Sequence, residues 1–342
     1  MSPARRLPAL RPDKNACESP HLVIVGAGGS RAACPSGDAQ GQRLPLMADL
    51  VAIVGLDSLL DEAGVHPDSN FELAYQRLAG DPKHQTAVRR IEAKIQSYFE
   101  ALALPHHATL YDRLLLSLRG KDFVATFNWD PLLAQAYLRN RSLRELPRLL
   151  FLHGNVAIGV CVDHDRTGFL SDGCDVCSKP LTPTALLYPI GEKNYDRDRF
   201  IRSEWVELRA AMRMTYILTI VGYAAPESDV EARAIMLEAW EANQSKDLAQ
   251  IDIVDIKSRA ALEATWAPFF VRDHYGVSTT PTWLFRHARR TCDHFAMATL
   301  QNAPCQDTPL PETESLAELH GWAAPLIQEE IELRERGKPL RC

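Results

Sequence analysis

Three side chains stand where chemistry is easily done: Asn128, Asp130 and His153. The first two close the run Lys121-Asp-Phe-Val-Ala-Thr-Phe-Asn-Trp-Asp-Pro131, and the third closes Leu149-Leu-Phe-Leu-His153-Gly154. Both runs are short, apolar and unalternated, the pattern of strands covered on both faces. Open α/β sheets bind ligands at the carboxyl ends of their strands, so polar residues ending such runs are placed to meet one. An imidazole there can serve as a general base. An amide at a buried strand end needs hydrogen-bond partners. Asp130 has a simpler role open to it as well, capping a helix whose first residue is Pro131.

Glycines end two further runs. His21-Leu-Val-Ile-Val-Gly26-Ala27-Gly28-Gly-Ser30 reads as a strand entering a glycine loop. Backbone N–H groups of such a loop can cradle a pyrophosphate, and Ser30 can add a hydroxyl. Residue 31 is arginine, so the third glycine of the dinucleotide fingerprint is absent, and a plain strand-to-helix turn remains open. No helix is expected to follow at once; Cys34 to Gly41 reads as a mobile loop. Asp49 falls in a helical context, not at the strand end where a ribose-binding acid usually stands. Tyr216 to Tyr223 is a strand ending on Gly222, and Ser228 to Glu231 is a capping box opening the next helix. Asp229 there suits the helix dipole. Asp255 ends Ile251-Asp-Ile-Val-Asp255, where a carboxylate can hold the two hydroxyls of a ribose or simply serve a turn.

The most specific local spacing belongs to cysteine. Cys161-Val-Asp-His164 is followed by Cys174-Asp-Val-Cys177. Two such knuckles suit tetrahedral zinc with three thiolates and one imidazole; a loop of reduced thiols is the plainer alternative. Either way the segment is structural, and no catalytic metal is implied.

The elements that must position these groups follow from periodicity. Strands are expected at 21–25, 121–127, 148–152, 215–221 and 250–255, with helices at 91–104, 109–118, 131–140, 197–214 and 228–241. Their alternation predicts an α/β fold, a doubly wound, Rossmann-like parallel sheet carrying a helical insertion and a small zinc-ribbon-like module. Residues 1–20 read as a disordered lead and 21–300 as one domain, with the insertion at 46–118 and the cysteine-bearing module at 155–185. Residues 301–342 read as a tail with a helix over 315–336, broken near Pro325. The 342 residues are 46% hydrophobic and 24% charged, ordinary values for a globular chain. A net charge near −6 argues against a basic nucleic-acid surface. No apolar run approaches the ~18 residues of a membrane span. The lead has no apolar stretch of a secretory signal, which points to a reducing cytoplasm.

In this order, the glycine loop with serine, the Asn-x-Asp strand end, the His-Gly, the cysteine knuckles, the Gly-Tyr turn and the acid-ending strand resemble the sirtuin (Sir2) superfamily. The resemblance spans roughly residues 21–260. It is nearest the divergent bacterial antiphage-defence branch whose members destroy NAD. Thr126-Phe-Asn-Trp-Asp130 stands where deacetylases have Thr-Gln-Asn-Ile-Asp, and Gly222-Tyr-Ala-Ala-Pro stands for Gly-Thr-Ser. Pro45-Leu-Met-Ala-Asp49 replaces their Gly-Ile-Pro-Asp-Phe-Arg, and Leu186 to Glu192 is similar only in outline to their Val-Val-Phe-Phe-Gly-Glu. The resemblance implies NAD+ as substrate, with Gly26, Ala27, Gly28 and Ser30 on its phosphates and Gly222 and Tyr223 on the other side. Asn128 and Asp130 would sit near the nicotinamide ribose, His153 would be the base, and Asp255 would lie near the adenosine ribose. The implied activity is an NAD+ hydrolase giving ADP-ribose and nicotinamide. The alternatives are an NAD-dependent protein lysine deacylase and a non-catalytic NAD or ADP-ribose-binding module. A homo-oligomer and a separately encoded ATPase or sensor are the partners this branch implies.

Overall fold

The computed structural model describes residues 19–65, 70–189, 195–196, 198–225, 229–300 and 305–337. Nearly all of the expected lead lies outside the described residues, and so does Ser228 of the expected capping box. The first three apolar runs form β1 (His21–Val25), β2 (Phe123–Thr126) and β3 (Arg148–Phe151). A small excursion then carries β4 (Ile158–Cys161), β5 (Arg166–Phe169) and β6 (Thr182–Pro183), antiparallel in the order β5-β4-β6. The chain returns to β7 (Ile217–Val221), β8 (Gln250–Val254) and β9 (Tyr275–Ser278). The large sheet is parallel throughout, in the order β3-β2-β1-β7-β8-β9. Its strand order therefore reverses between β1 and β7, which makes their carboxyl ends the topological switch point of a doubly wound sheet.

Helices fill the crossovers. Between β1 and β2 lie α1 (Ala27–Ala33), α2 (Leu50–Val54), α3 (Asp57–Glu62), α4 (Phe71–Ala79), α5 (Gln85–Glu100) and α6 (Leu110–Leu116). After them come α7 (Leu132–Asn140), α8 (Arg199–Met212), α9 (Val230–Glu241) and α10 (Arg259–Trp266). Following β9 are α11 (Thr282–Arg286), α12 (Thr291–Leu300) and α13 (Leu316–Glu335). Successive strand residues face opposite ways, and the core divides accordingly. Val23, Val25, Val124 and Val221 pack with Leu60, Leu78, Ile91, Ile95 and Leu114 on one face. Leu22, Ile24, Ala125, Leu218, Ile220 and Ile251 pack with Trp205, Leu208, Met236, Trp240 and Trp266 on the other. The helices of 46–118 thus share the core of the sheet and form the layer over one of its faces.

Three local expectations are corrected. A helix does follow the first strand at once: α1 starts at Ala27, with Gly26 as its extended N-cap. Glycine's helix penalty of about 1 kcal/mol is offset here by packing on β7's end, which a side chain would obstruct. The segment 34–41 is not loose, because buried Asp38 accepts from the N–H groups of Gln40, Gln42 and Ala103. The last helix runs through Pro325 without a break. Its buried Leu319, Ala323 and Ile327 pack on Leu116, Leu146 and Leu310, and Glu330 pairs with the fully buried Arg289 at 2.5 Å. That docking offsets the hydrogen bond proline cannot make. The sixth strand, β9, was not foreseen in the sequence: it is half-buried, pairs only with β8 and carries Gly276 instead of an apolar run.

Candidate functional site

Side chains at the switch point form one hydrogen-bonded network. Asn128, two residues past β2, donates from Nδ2 to the Gly26 carbonyl at 2.9 Å and to Ser30 Oγ at 2.8 Å. Ser30 gives its one proton to Asp130 Oδ2 at 2.6 Å. Tyr111 OH, 2.5 Å from Ser30 Oγ, must then be the donor of that contact. The helix α7 starts at Leu132 with Pro131 as its cap residue, one position later than expected, and Asp130 Oδ1 accepts from the Leu132 N–H at 3.1 Å beside its contact with Ser30. Burial, partly opposed by these two bonds, raises the Asp130 carboxyl to about 6. Burial followed by the Asp130 charge lifts the Tyr111 phenol well above its usual range.

The backbone of this corner is locked from two sides. Gly26 N–H donates to the Val221 carbonyl and Gly28 N–H to the Gly222 carbonyl, each at 3.0 Å. Two donors expected to cradle phosphate therefore tie β1's end to β7's end. Gly222 has φ 58°, and a Cβ there would lie 2.3 Å from the Gly29 nitrogen. Only glycine fits both the left-handed backbone and the space. On the other side Asn155 Nδ2 donates to the carbonyls of Asn128 at 3.1 Å and Asp130 at 2.6 Å. The strand end that carries Asn128 and Asp130 is thus held by the residue just past His153-Gly154.

His153 is buried in an aromatic setting. Its ring meets Phe127 edge-on at 4.9 Å and stands 6.1 Å from Tyr195. Phe127 stacks on Tyr223 at 4.1 Å, and Tyr223 donates to Asp229 at 2.9 Å. Phe127 therefore bridges the histidine at β3's end to the tyrosine at β7's end. Asp255 follows β8, half-buried, and its Oδ1 accepts from the Lys257 N–H at 3.0 Å, the turn role. Asp49 accepts from the Leu46 N–H and pairs with Arg31 at 2.5 Å, which explains the arginine where the fingerprint has glycine. Ala27 opens α1 within the same corner. Tyr111 and Asn155 escape a reading by motif. Each lies in or beside a recognised element, but only the fold brings them to Asn128.

The cysteine knuckles converge on one another. Cys161 Sγ lies 3.5 Å from His164 Nδ1 and 3.8 Å from Cys177 Sγ, and Cys174 Sγ lies 3.8 Å from the same nitrogen. In a tetrahedron, a metal–sulfur bond of about 2.3 Å sets ligand atoms about 3.8 Å apart. All four ligand atoms lie within 4.8 Å of one another, so the set can hold a metal ion, and His164 belongs to it. The tight turn between β4 and β5 delivers the imidazole, with Asp165 at φ 52°. No described helix is long and apolar enough to cross a membrane.

No protein-family model matches the chain, and no curated protein matches it. Among solved structures, it is similar to a Sir2 enzyme bound to a propionylated peptide, at 13% identity and a TM-score of 0.36, covering 83% of this chain and 93% of that one. It is also similar to a Sir2 complex with p53 peptide and NAD+, at 14% identity and a TM-score of 0.37, covering 83% and 93%. A third, from a study of the mechanism and regulation of Sir2 enzymes, shares 17% identity with a TM-score of 0.39, covering 77% and 88%. Scores of this size leave the reading of the site to its own residues.

Proposed function

We propose that this chain binds NAD+ at the switch point and hydrolyses the nicotinamide–ribose bond, giving ADP-ribose and nicotinamide, in bacterial antiphage defence. The observation that supports this most is the joining of motifs about a hundred residues apart, Gly26–Ser30 and Asn128–Asp130, with Gly222, in one network at the strand-order reversal. That reversal is where doubly wound sheets bind nucleotides.

In this reading nicotinamide leaves neutral while positive charge develops on the ribose ring. A buried carboxylate nearby stabilises such charge far better than water does. Asp130 would supply it, being mostly ionised at neutral pH with a pKa of about 6. Asn128 would orient the ribose or the attacking water. His153 would take the proton that water loses as its oxygen bonds to the anomeric carbon. Gly26, Ala27, Gly28 and Ser30 would line the phosphates at close approach, the Gly26 and Gly28 N–H groups staying on β7's end, with Gly222 and Tyr223 on the other side and Asp255 near the adenosine ribose. Cys161, His164, Cys174 and Cys177 would hold a structural zinc, which supplies rigidity to the module and no chemical step. Self-association and a separately encoded ATPase or sensor belong to the same proposal, as does a cytoplasmic location.

The test is chromatography of purified protein with NAD+, with and without an acyl-lysine peptide. ADP-ribose formed without peptide is the expected result, and Asn128→Ala or His153→Ala should reduce it at least about a hundredfold in folded protein. Nicotinamide release only with peptide would replace the hydrolase by a deacylase. NAD+ binding without turnover would leave a binding module.

A further inference from the structure

A second cluster of ligand atoms lies far along the chain from the cysteine knuckles. His287 ends α11, His294 stands in the first turn of α12, and Asp307 follows on the way to α13. His287 Nδ1 is 3.4 Å from Asp307 Oδ1, and His294 Nε2 is 3.6 Å from the same oxygen. The two imidazoles stack at 3.7 Å. We propose that His287, His294 and Asp307 form a second divalent transition-metal site, of zinc class, which clips the chain beyond α12 to the α11 corner.

The spacing is that of ligands around one ion. Metal bonds of about 2.0–2.1 Å to nitrogen and oxygen place neighbouring ligand atoms about 3.4 Å apart in a tetrahedron. A hydrogen-bonded histidine–carboxylate pair would be closer, at about 2.7–2.9 Å. The rings also carry unexplained polarity. Both side chains are more than nine-tenths buried, and Nδ1 of each has no hydrogen-bond partner. An unpaired buried polar nitrogen costs about 1–3 kcal/mol, and for His287 that nitrogen, Nδ1, is the atom that faces Asp307 Oδ1 and would bind the ion. Asp307 divides its oxygens: Oδ2 accepts from Arg286 at 2.7 Å, leaving Oδ1 toward the histidines. His294 Nε2 also lies 2.8 Å from the Cys305 carbonyl, a contact that an ion at Nε2 would replace, with the ring proton moving to Nδ1. Two imidazoles and a carboxylate favour a borderline ion over calcium or magnesium.

Equilibrium dialysis of the full chain against zinc, counted by elemental mass spectrometry, tests the site. Two zinc ions per chain are expected in the unaltered protein, one in Asp307→Ala and one in Cys174→Ser/Cys177→Ser. Asp307 is partly exposed, so its loss should leave the fold intact; Asp307→Asn keeps the side-chain shape if it does not. Equal zinc content with and without the Asp307 carboxylate overturns the proposal. Cobalt(II) provides an independent reading. The Asp307-dependent ion should add visible ligand-field absorption with no thiolate charge-transfer band, and a thiolate band lost on Asp307→Ala would place that ion at the cysteines and equally overturn the site.

Discussion

The switch-point network and the cysteine module both gather polar atoms, but by opposite means. At the switch point each donor has an acceptor: Asn128 meets Gly26 and Ser30, Ser30 meets Asp130, and the Leu132 N–H meets Asp130. In the module, four potential ligand atoms converge within 4.8 Å of one another, with contacts of 3.5–3.8 Å among them. The first region is held in place by two hydrophobic layers around a six-stranded sheet. The second has a core of little more than Cys161, Cys174 and Leu181, so its thiols are its core. One arrangement stands on the fold, while the other has a convergence that a metal ion could fill.

The largest effect should come from breaking the second arrangement. Removing the proposed zinc with a chelator should withdraw a binding free energy on the order of 10 kcal/mol from the module. Amide exchange across 158–183 should rise to near the unfolded rate while β1, β2 and β7 stay protected. Loss of protection in both regions together would mean that they form one cooperative unit.

Next in size is Gly222→Ala. The left-handed backbone costs a side chain about 1–3 kcal/mol, and the overlap with Gly29 adds to it. Thermal unfolding of the sheet should shift down clearly, with zinc content unchanged.

The smallest effect sharpens the electrostatics of the first region. The folded pKa of Asp130, about 6, lies above its ordinary value of 3.8, so the folded chain holds the proton more tightly. Stability from this group is complete below about pH 4 and is lost as pH rises through about 6, by on the order of 2–3 kcal/mol. Asp130→Asn should flatten that part of the stability profile in denaturant titrations at pH 4, 5, 6 and 7. NAD+ cleavage, where the ionised form is needed, should run the other way and rise through about pH 6. A stability profile unchanged by Asp130→Asn would show that the carboxyl titrates normally.

Much of this was legible because burial on two faces leaves a plain mark. The runs at β1, β2, β3, β7 and β8 are short and mostly apolar, and all five form strands. The knuckle spacing named all four residues of the cluster that could hold a metal ion, because such a cluster is built from local turns. Edge elements left no such mark. β9 is only half-buried along its whole length, and β4 to β6 are short and broken by glycine, arginine, threonine or proline. The glycine loop has the pattern of a phosphate cradle or of a plain strand-to-helix turn, and its Gly26 and Gly28 N–H groups bind β7's end. That partner lies about two hundred residues away, out of reach of any local pattern.

By itself, then, the sequence determined which residues would end strands and which thiols and imidazole would cluster, since hydrophobic period and turn spacing are local properties. The tertiary structure alone decided which strand ends became neighbours. Strand order sets β1 between β2 and β7, and with it brings Asn128 to Gly26 and Gly222 to Gly28. It also recruited Tyr111 and Asn155, whose polar atoms are drawn in because buried groups must be paired.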